Sequence, residues 1–294
     1  MSALTQAEAT PARTYRTPTW YWVLVAVLVA VIAVTAVPAF TQEPHQPGVA
    51  DFFPSAIFGE GTVFEFNRLT LARFVMAGLL CLAMVLGVRK LSMVPGRGQQ
   101  ILELAADFIR GNIAVELLGD KRGRQFAPML TMSFLSILLL NLAGVFPGID
   151  IAATSAVAVP LVFATYTYVT FISAGIKAQG VGHFFASQLF PPGLPKAMYL
   201  LITPIEFLST FIVRPVTLTL RLLANMIAGH LLLGMTYFGT ALLLHELKVM
   251  SSLSVLTGAA MVVMTGFEIF VAVLQAYIFT ILSAVYIKLS VEAH

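Results

Sequence analysis

Arg221, Asn225 and His230 share one apolar stretch, Val216–Leu243, and Glu268 and Gln275 share another, Leu253–Leu289. Arginine cannot shed its charge, and at membrane depth it costs about 2.5 to 3.5 kcal/mol on insertion scales. An arginine in such a run therefore serves an ion path, a voltage sensor or a counter-ion, and it calls for a partner. On a helix of about 100° per residue, Asn225 lies one turn beyond Arg221 on the same face. His230, nine residues on, points to the opposite side, about 13 Å further along the axis. Glu268 and Gln275 are seven apart and nearly eclipsed, so one face carries a titratable carboxylate and a neutral amide about 10 Å away.

These types allow a specific chemistry. A carboxylate and an imidazole facing each other can exchange protons near neutral pH, and a fixed guanidinium can attract a carboxylate on another helix or protein. The spacing predicts that His230 and Glu268 line an aqueous pocket from one side of the membrane. Glu206, Ser209 and Thr210 would line a second pocket from the other, with Arg221 between the two. The alternatives are a histidine bonded to a backbone carbonyl and a structural ion pair of Arg221 with Glu206 or Glu268. Arg73 and Arg214 read as helix-end anchors whose heads snorkel to water. His183, His245 and His294 carry no assigned role.

Membrane helices must carry all of these groups. The 294 residues are 59% hydrophobic and only 11% charged, which leaves no wetted surface of the usual kind and marks an all-α polytopic membrane protein. A net charge of +3 raises nucleic acid as a partner, but the basic residues gather in particular loops and follow the topology instead. The single cysteine, Cys81, excludes an intrachain disulfide and a four-cysteine metal site. No phosphate-cradling loop, His-Glu-x-x-His or serine nucleophile motif occurs, so no cofactor and no catalysis on a nucleotide are expected in this chain.

A hydrocarbon core of about 30 Å needs roughly 20 apolar residues per span. About six hydrophobic helices are expected, at 20–40, 69–88, 129–146, 156–176, 198–244 and 253–289. The last two exceed a perpendicular crossing and must tilt, bend or protrude. Gln99–Leu118 places Glu103, Asp107 and Arg110 on one side and Ile101, Ala105, Phe108 and Ile109 on the other. That pattern suits an amphipathic helix on the membrane surface, or a loop helix packed on another subunit. Arg89, Lys90, Arg97, Arg110, Lys121, Arg122, Arg124, Lys177, Lys196 and Lys288 mark the cytoplasmic side, and the lysine- and arginine-free segment 41–67 faces outside. Both termini are then cytoplasmic. Residues 20–40 read either as a retained span or, after Arg13 and Arg16, as a cleaved signal. The expected division is an extension, 1–66, and a membrane core, 67–294.

RPVTLTLRLLANMIAGH (Arg214–His230) and EIFVAVLQAYIFTILSAVYI (Glu268–Ile287), with PGRGQQILELAADFIRGNI and FAPMLTMSFLSILLLNLAGVFPG, are similar to subunit a of the rotary F-type ATP synthase, a resemblance that runs over about Phe66–His294. By that resemblance Arg221 is the stator arginine facing the carboxylates of the rotating c-ring, Asn225 the asparagine one turn beyond, and Gln275 the glutamine close to the arginine. His230 and Glu268 match the coupled imidazole and acid of the outer half-channel, Glu206 and Ser209 the inner group, and Asn141 and Asp150 outer-side polar residues. Gly144 and Ala152 depart from residues that relatives carry near the outer entrance, and segment 20–40 is additional to the five-span core. The resemblance implies a non-catalytic, ion-translocating subunit, most simply for protons, of a bacterial plasma membrane. Its partners would be the c-ring, the b subunit of the peripheral stalk, the rest of the synthase and lipid, with no nucleic acid. Without the resemblance, a self-contained cation/proton antiporter or channel, or a structural scaffold, also satisfies the polar pattern.

Overall fold

The computed structural model describes residues 46–48, 56–58, 66–89, 97–145, 156–190, 195, 198–246 and 251–292. The expected helix at 20–40 and its reading as a signal lie outside the described residues, as do Asp150 and Ala152. Ala56–Phe58 (β1) pairs antiparallel with Phe66–Asn67 (β2), a short ladder that hydropathy did not announce. The other long elements among the described residues are helices: α1 (Arg68–Arg89), α2 (Arg97–Ile109), α3 (Glu116–Leu142), α4 (Ala158–Gln179), α5 (Val181–Leu189), α6 (Tyr199–Phe207), α7 (Arg214–Glu246) and α8 (Ser251–Val291). The chain is an all-α polytopic membrane protein.

Local chemistry sets several boundaries. Asn67 starts α1: its side-chain oxygen accepts the Thr70 N–H and the Thr70 hydroxyl, each at 2.9 Å, the usual N-cap arrangement. Two π-helical segments, Arg110–Val115 and Leu208–Val213, join α2 to α3 and α6 to α7. The second matters for function because a π segment shifts the helical phase between its two ends. The phase of Glu206 and Thr210 against Arg221 therefore departs from an ideal α-helix.

The long rods match the expected spans in place but not in length. Leu102–Val145, Ala158–Gln179, Tyr199–Leu243 and Leu256–Val291 are each long and apolar enough to cross a membrane, and α1 adds the shorter apolar stretch Leu69–Val85. The amphipathic helix expected at 99–118 continues through the π segment as far as Leu118. Gly119, at φ 76° and ψ 167°, then turns the chain sharply, a backbone state that costs residues with a Cβ. Ile109, Ile113 and Ala114 are fully buried in the core, whereas Leu104 and Phe108 stay exposed.

The core gathers around α8, which packs against α3, α4 and α7. Leu130, Phe134 and Ile137 of α3 meet Leu218 and Leu222 of α7 and Ala276, Phe279 and Ala284 of α8. Small residues on α8 let its neighbours approach closely, as is common in membrane bundles. Hydroxyls add cross-links: Thr167 and Ser283 lie 3.2 Å apart, and the Ser290 hydroxyl donates to the Phe171 carbonyl at 2.7 Å. Large apolar side chains such as Phe74, Leu82, Val262 and Phe270 stand exposed, as expected of surfaces facing hydrocarbon or a partner.

Gly123 sits where α3 folds back on the π segment. A Cβ there would stand 2.7 Å from the Ala114 carbonyl oxygen and 2.7 Å from the Val115 Cα, backbone atoms that cannot step aside. Gly123→Ala should therefore destabilise the chain by about 1–3 kcal/mol, read as a lower thermal midpoint. Gly111→Ala, which meets open space, should leave the midpoint unchanged. Equal midpoints for both variants would contradict this packing.

Candidate functional site

Antiparallel packing of α7 and α8 brings the polar residues of the two helices together in two rungs. In the first, the Asn225 side-chain amide donates to the Gln275 carbonyl oxygen at 2.7 Å. In the second, His230 Nδ1 stands 3.5 Å from Glu268 Oε1, with side chains only 7% and 5% exposed. Five residues separate the rungs on α7 and seven on α8. Both acceptors project from one face of α8, as the seven-residue spacing requires.

The second rung is enclosed. The expectation that His230 and Glu268 line an open aqueous pocket is corrected here: the two side chains turn towards each other between the helices. Gly229 lies beside the carboxylate: a Cβ on it would stand in ordinary contact, 3.5 Å from Glu268 Oε1. Among the described residues, neither carboxylate oxygen of Glu268 has a hydrogen-bond partner. His230 Nδ1 is thus an electrostatic neighbour at the limit of hydrogen-bond reach rather than an aligned donor. Leaving a buried acceptor unsatisfied costs about 1–3 kcal/mol, a cost that purely structural packing would avoid. The arrangement suits a group that gives and takes a proton.

Arg221 is placed differently. It is exposed on the α7 surface, and among the described residues it forms neither an ion pair nor a hydrogen bond. The alternative of a structural pair with Glu206 or Glu268 is not formed. Tyr199–Leu243, which carries Arg221, is also the least enclosed of the long rods. Some 22% of its most apolar window is buried, against 44% for Leu102–Val145, which leaves a face of α7 open to whatever lies beside it.

The remaining predicted residues divide. Asn141 is buried in α3, 1% exposed. Glu206 and Ser209 are half-buried on α6 and the π segment. Thr210, the third residue of that predicted group, is buried in the π segment. It is 1% exposed and lines a cleft with Arg214. Arg214 is not a helix-end anchor either. It lies inside the continuous helical rod Tyr199–Leu243, half-buried, with its guanidinium 5.6 Å from the Tyr286 ring centroid. Sequence reasoning missed this arginine's surroundings; Thr210 and Arg214, four apart in an apolar run, were the available signal.

Comparison with known proteins gives a consistent result. Residues 70–288 match the family model described as ATP synthase A chain. The chain is similar to ATP synthase subunit a of Rhodococcus erythropolis, 38% identical over 266 residues covering 89% of this chain and 95% of that protein. It is likewise similar to ATP synthase subunit a of Frankia alni, 38% identical over 86% of this chain and 89% of that one. The Streptomyces lividans protein of the same name is 32% identical over 88% and 95% respectively.

Proposed function

Because the chain belongs to the ATP synthase A chain family, we propose that it is the ion-translocating stator subunit in the membrane sector of an F-type ATP synthase. Its cargo would be protons, its membrane the bacterial plasma membrane, and its partners the c-ring and the b subunit of the peripheral stalk. The observation that carries the reading is the contrast between Arg221, exposed and without a carboxylate partner among the described residues of its own chain, and Glu268, enclosed beside His230.

A proton enters on the outer side, passes the His230 and Glu268 pair, and neutralises a carboxylate of the ring. The neutral carboxyl then turns into lipid at little electrostatic cost. After nearly a full turn it meets the inner side, where Glu206 and Ser209 form the exit, and releases the proton. Arg221 enforces the order: its fixed charge attracts the ionised ring carboxylate, favours proton release as a neutral one arrives, and repels cations that would leak directly across. Asn225 and Gln275 hold the helices in register one turn beyond the arginine. Each elementary charge crossing 100 mV releases about 2.3 kcal/mol, so several steps accumulate for ATP formation elsewhere in the complex. Asn141 and Asp150 belong to the outer entrance, residues 67–294 form the core with 1–66 as an extension, and both termini face the cytoplasm under the positive-inside rule.

The experiment is disulfide crosslinking of a cysteine placed near Arg221 to single cysteines around the ring carboxylate, at rest and during ATP hydrolysis. Crosslinks should form with any ring subunit, and turnover should change which subunit is captured. The purified chain alone in liposomes should be silent. Autonomous ion flux would instead establish a self-contained antiporter or channel and defeat the stator reading.

A further inference from the structure

The last four carbonyls of an α-helix have no partner within it, and in α8 two of them are satisfied by side chains of other helices. The Lys288 carbonyl accepts the Glu292 N–H at 2.9 Å. The Ser290 carbonyl accepts the side-chain amide of Gln179, the last residue of α4, at 2.9 Å, and the Leu289 carbonyl accepts that of Gln188 on α5 at 3.3 Å. Gln179 is itself oriented: its Oε1 accepts from the Ser187 hydroxyl at 3.0 Å, a proton that this hydroxyl shares with the Phe184 carbonyl. The Ser290 hydroxyl, fully buried, donates to the Phe171 carbonyl at 2.7 Å. Gly175 opens the space for it, because a Cβ there would overlap Ser290 Oγ and the Phe184 ring. The end of α8 is thus clasped by α4 and α5 through both its backbone and its side chain.

That clasp lies far from the two polar rungs, yet the rod between them is stiff. Glu268 and Ser290 are 22 residues apart, about 33 Å along the axis, and α8 runs through both with no glycine or proline in between. Helices kink at proline, at glycine or at a π-bulge, so this length moves as one piece. The outer part of the helix gives Glu268 little support: none of residues 256–267 is buried, and Leu256, Val262, Val263 and Phe267 are more than half exposed. Further along, Ala272, Ala276, Phe279, Ala284 and Ile287 are all buried. α8 is therefore held from its C-terminal half, and a slip or rotation at the clasped end carries Glu268 with it. His230 Nδ1 and Glu268 Oε1, 3.5 Å apart, already stand at the limit of hydrogen-bond reach.

We propose that Gln179 is a positioning residue for proton transfer at Glu268. With the Ser187 hydroxyl behind it, its amide caps the Ser290 carbonyl, fixes the height and rotation of α8, and so holds the Glu268 carboxylate beside His230. The role rests on the proposed passage of protons through that pair. Gln179 touches no reacting atom and acts only through the rod.

In the assembled complex containing this chain, Gln179→Leu keeps the bulk of the side chain and removes the donor. ATP-driven proton pumping per assembled complex, with assembly read by copurification of the ring, should fall about tenfold, since misplacing a reacting group by about 1 Å can cost up to about 100-fold. Ser187→Ala, which only frees the amide to turn, should act in the same direction and more weakly. The discriminating readout is the double variant. If Gln179 acts through Glu268, adding Gln179→Leu to Glu268→Gln leaves the slowed rate unchanged, because displacing a group that is already gone costs nothing further. A merely structural role would slow both backgrounds by the same factor, and that result overturns the proposal. So does a wild-type rate per complex in Gln179→Leu. Where Gln179→Leu does not assemble, the same cycle is run with Ser187→Ala and judged by the same outcomes. Glu268→Gln pumping at the wild-type rate would defeat the proton-path reading itself, whereas a slowed Glu268→Gln beside an unaffected Gln179→Leu defeats this role alone.

Discussion

Arg221→Ala is expected to reduce ATP-driven proton pumping and ATP synthesis by about two to three orders of magnitude while leaving the assembled complex intact. The magnitude reflects the interaction removed: truncating one partner of a close, water-poor charge pair costs about 2–5 kcal/mol, and each 1.36 kcal/mol is about tenfold in rate. Intact assembly reflects the geometry, since Arg221 is exposed and bonded to nothing among the described residues of its own chain. A substitution free of burial or partners changes stability by only about 0.5 kcal/mol. Arg221→Lys should fail nearly as badly, because a compact ammonium sheds its proton when desolvated and lacks the planar fork of the guanidinium. Pumping is read in inverted vesicles by quenching of a pH-sensitive dye, and assembly by copurification of the c-ring. Normal pumping in Arg221→Ala would remove the arginine from the mechanism. Lost assembly with it would instead favour a scaffold.

Glu268→Gln should slow proton transport about 100-fold or more, within the usual range for removing a positioned acid–base group, without loss of membrane insertion. The amide is nearly isosteric, so the enclosure between α7 and α8 persists, and its N–H₂ can donate to an imidazole nitrogen that the carboxylate meets at 3.5 Å. Stability should therefore hold or rise slightly, which separates a transport defect from a folding one. His230→Ala should also slow transport, and the double variant should be no slower than the worse single one, because groups that pass the same proton are not additive. Strictly additive losses would mean that the two act separately. A rate equal to wild type across the pH range would take Glu268 out of the proton path.

The membrane class, the positions of the long apolar helices and the identities of the polar residues within them are all legible in the order of the amino acids. They depend on hydropathy over windows of about 20 residues and on the cost of burying charge, both local quantities. The seven-residue spacing of Glu268 and Gln275 likewise puts them on one face whatever packs against it. Which residues meet across helices is a matter of packing alone. Asn225 bonds Gln275 rather than standing beside Arg221 as a bystander, and His230 closes on Glu268 instead of opening to a pocket, because the antiparallel register of α7 on α8 sets these residues opposite one another. The contact of the Arg214 guanidinium with the Tyr286 ring likewise joins residues of two different helices. Such meetings depend on which faces of separate helices pack together, and hydropathy along one stretch of chain leaves that choice open.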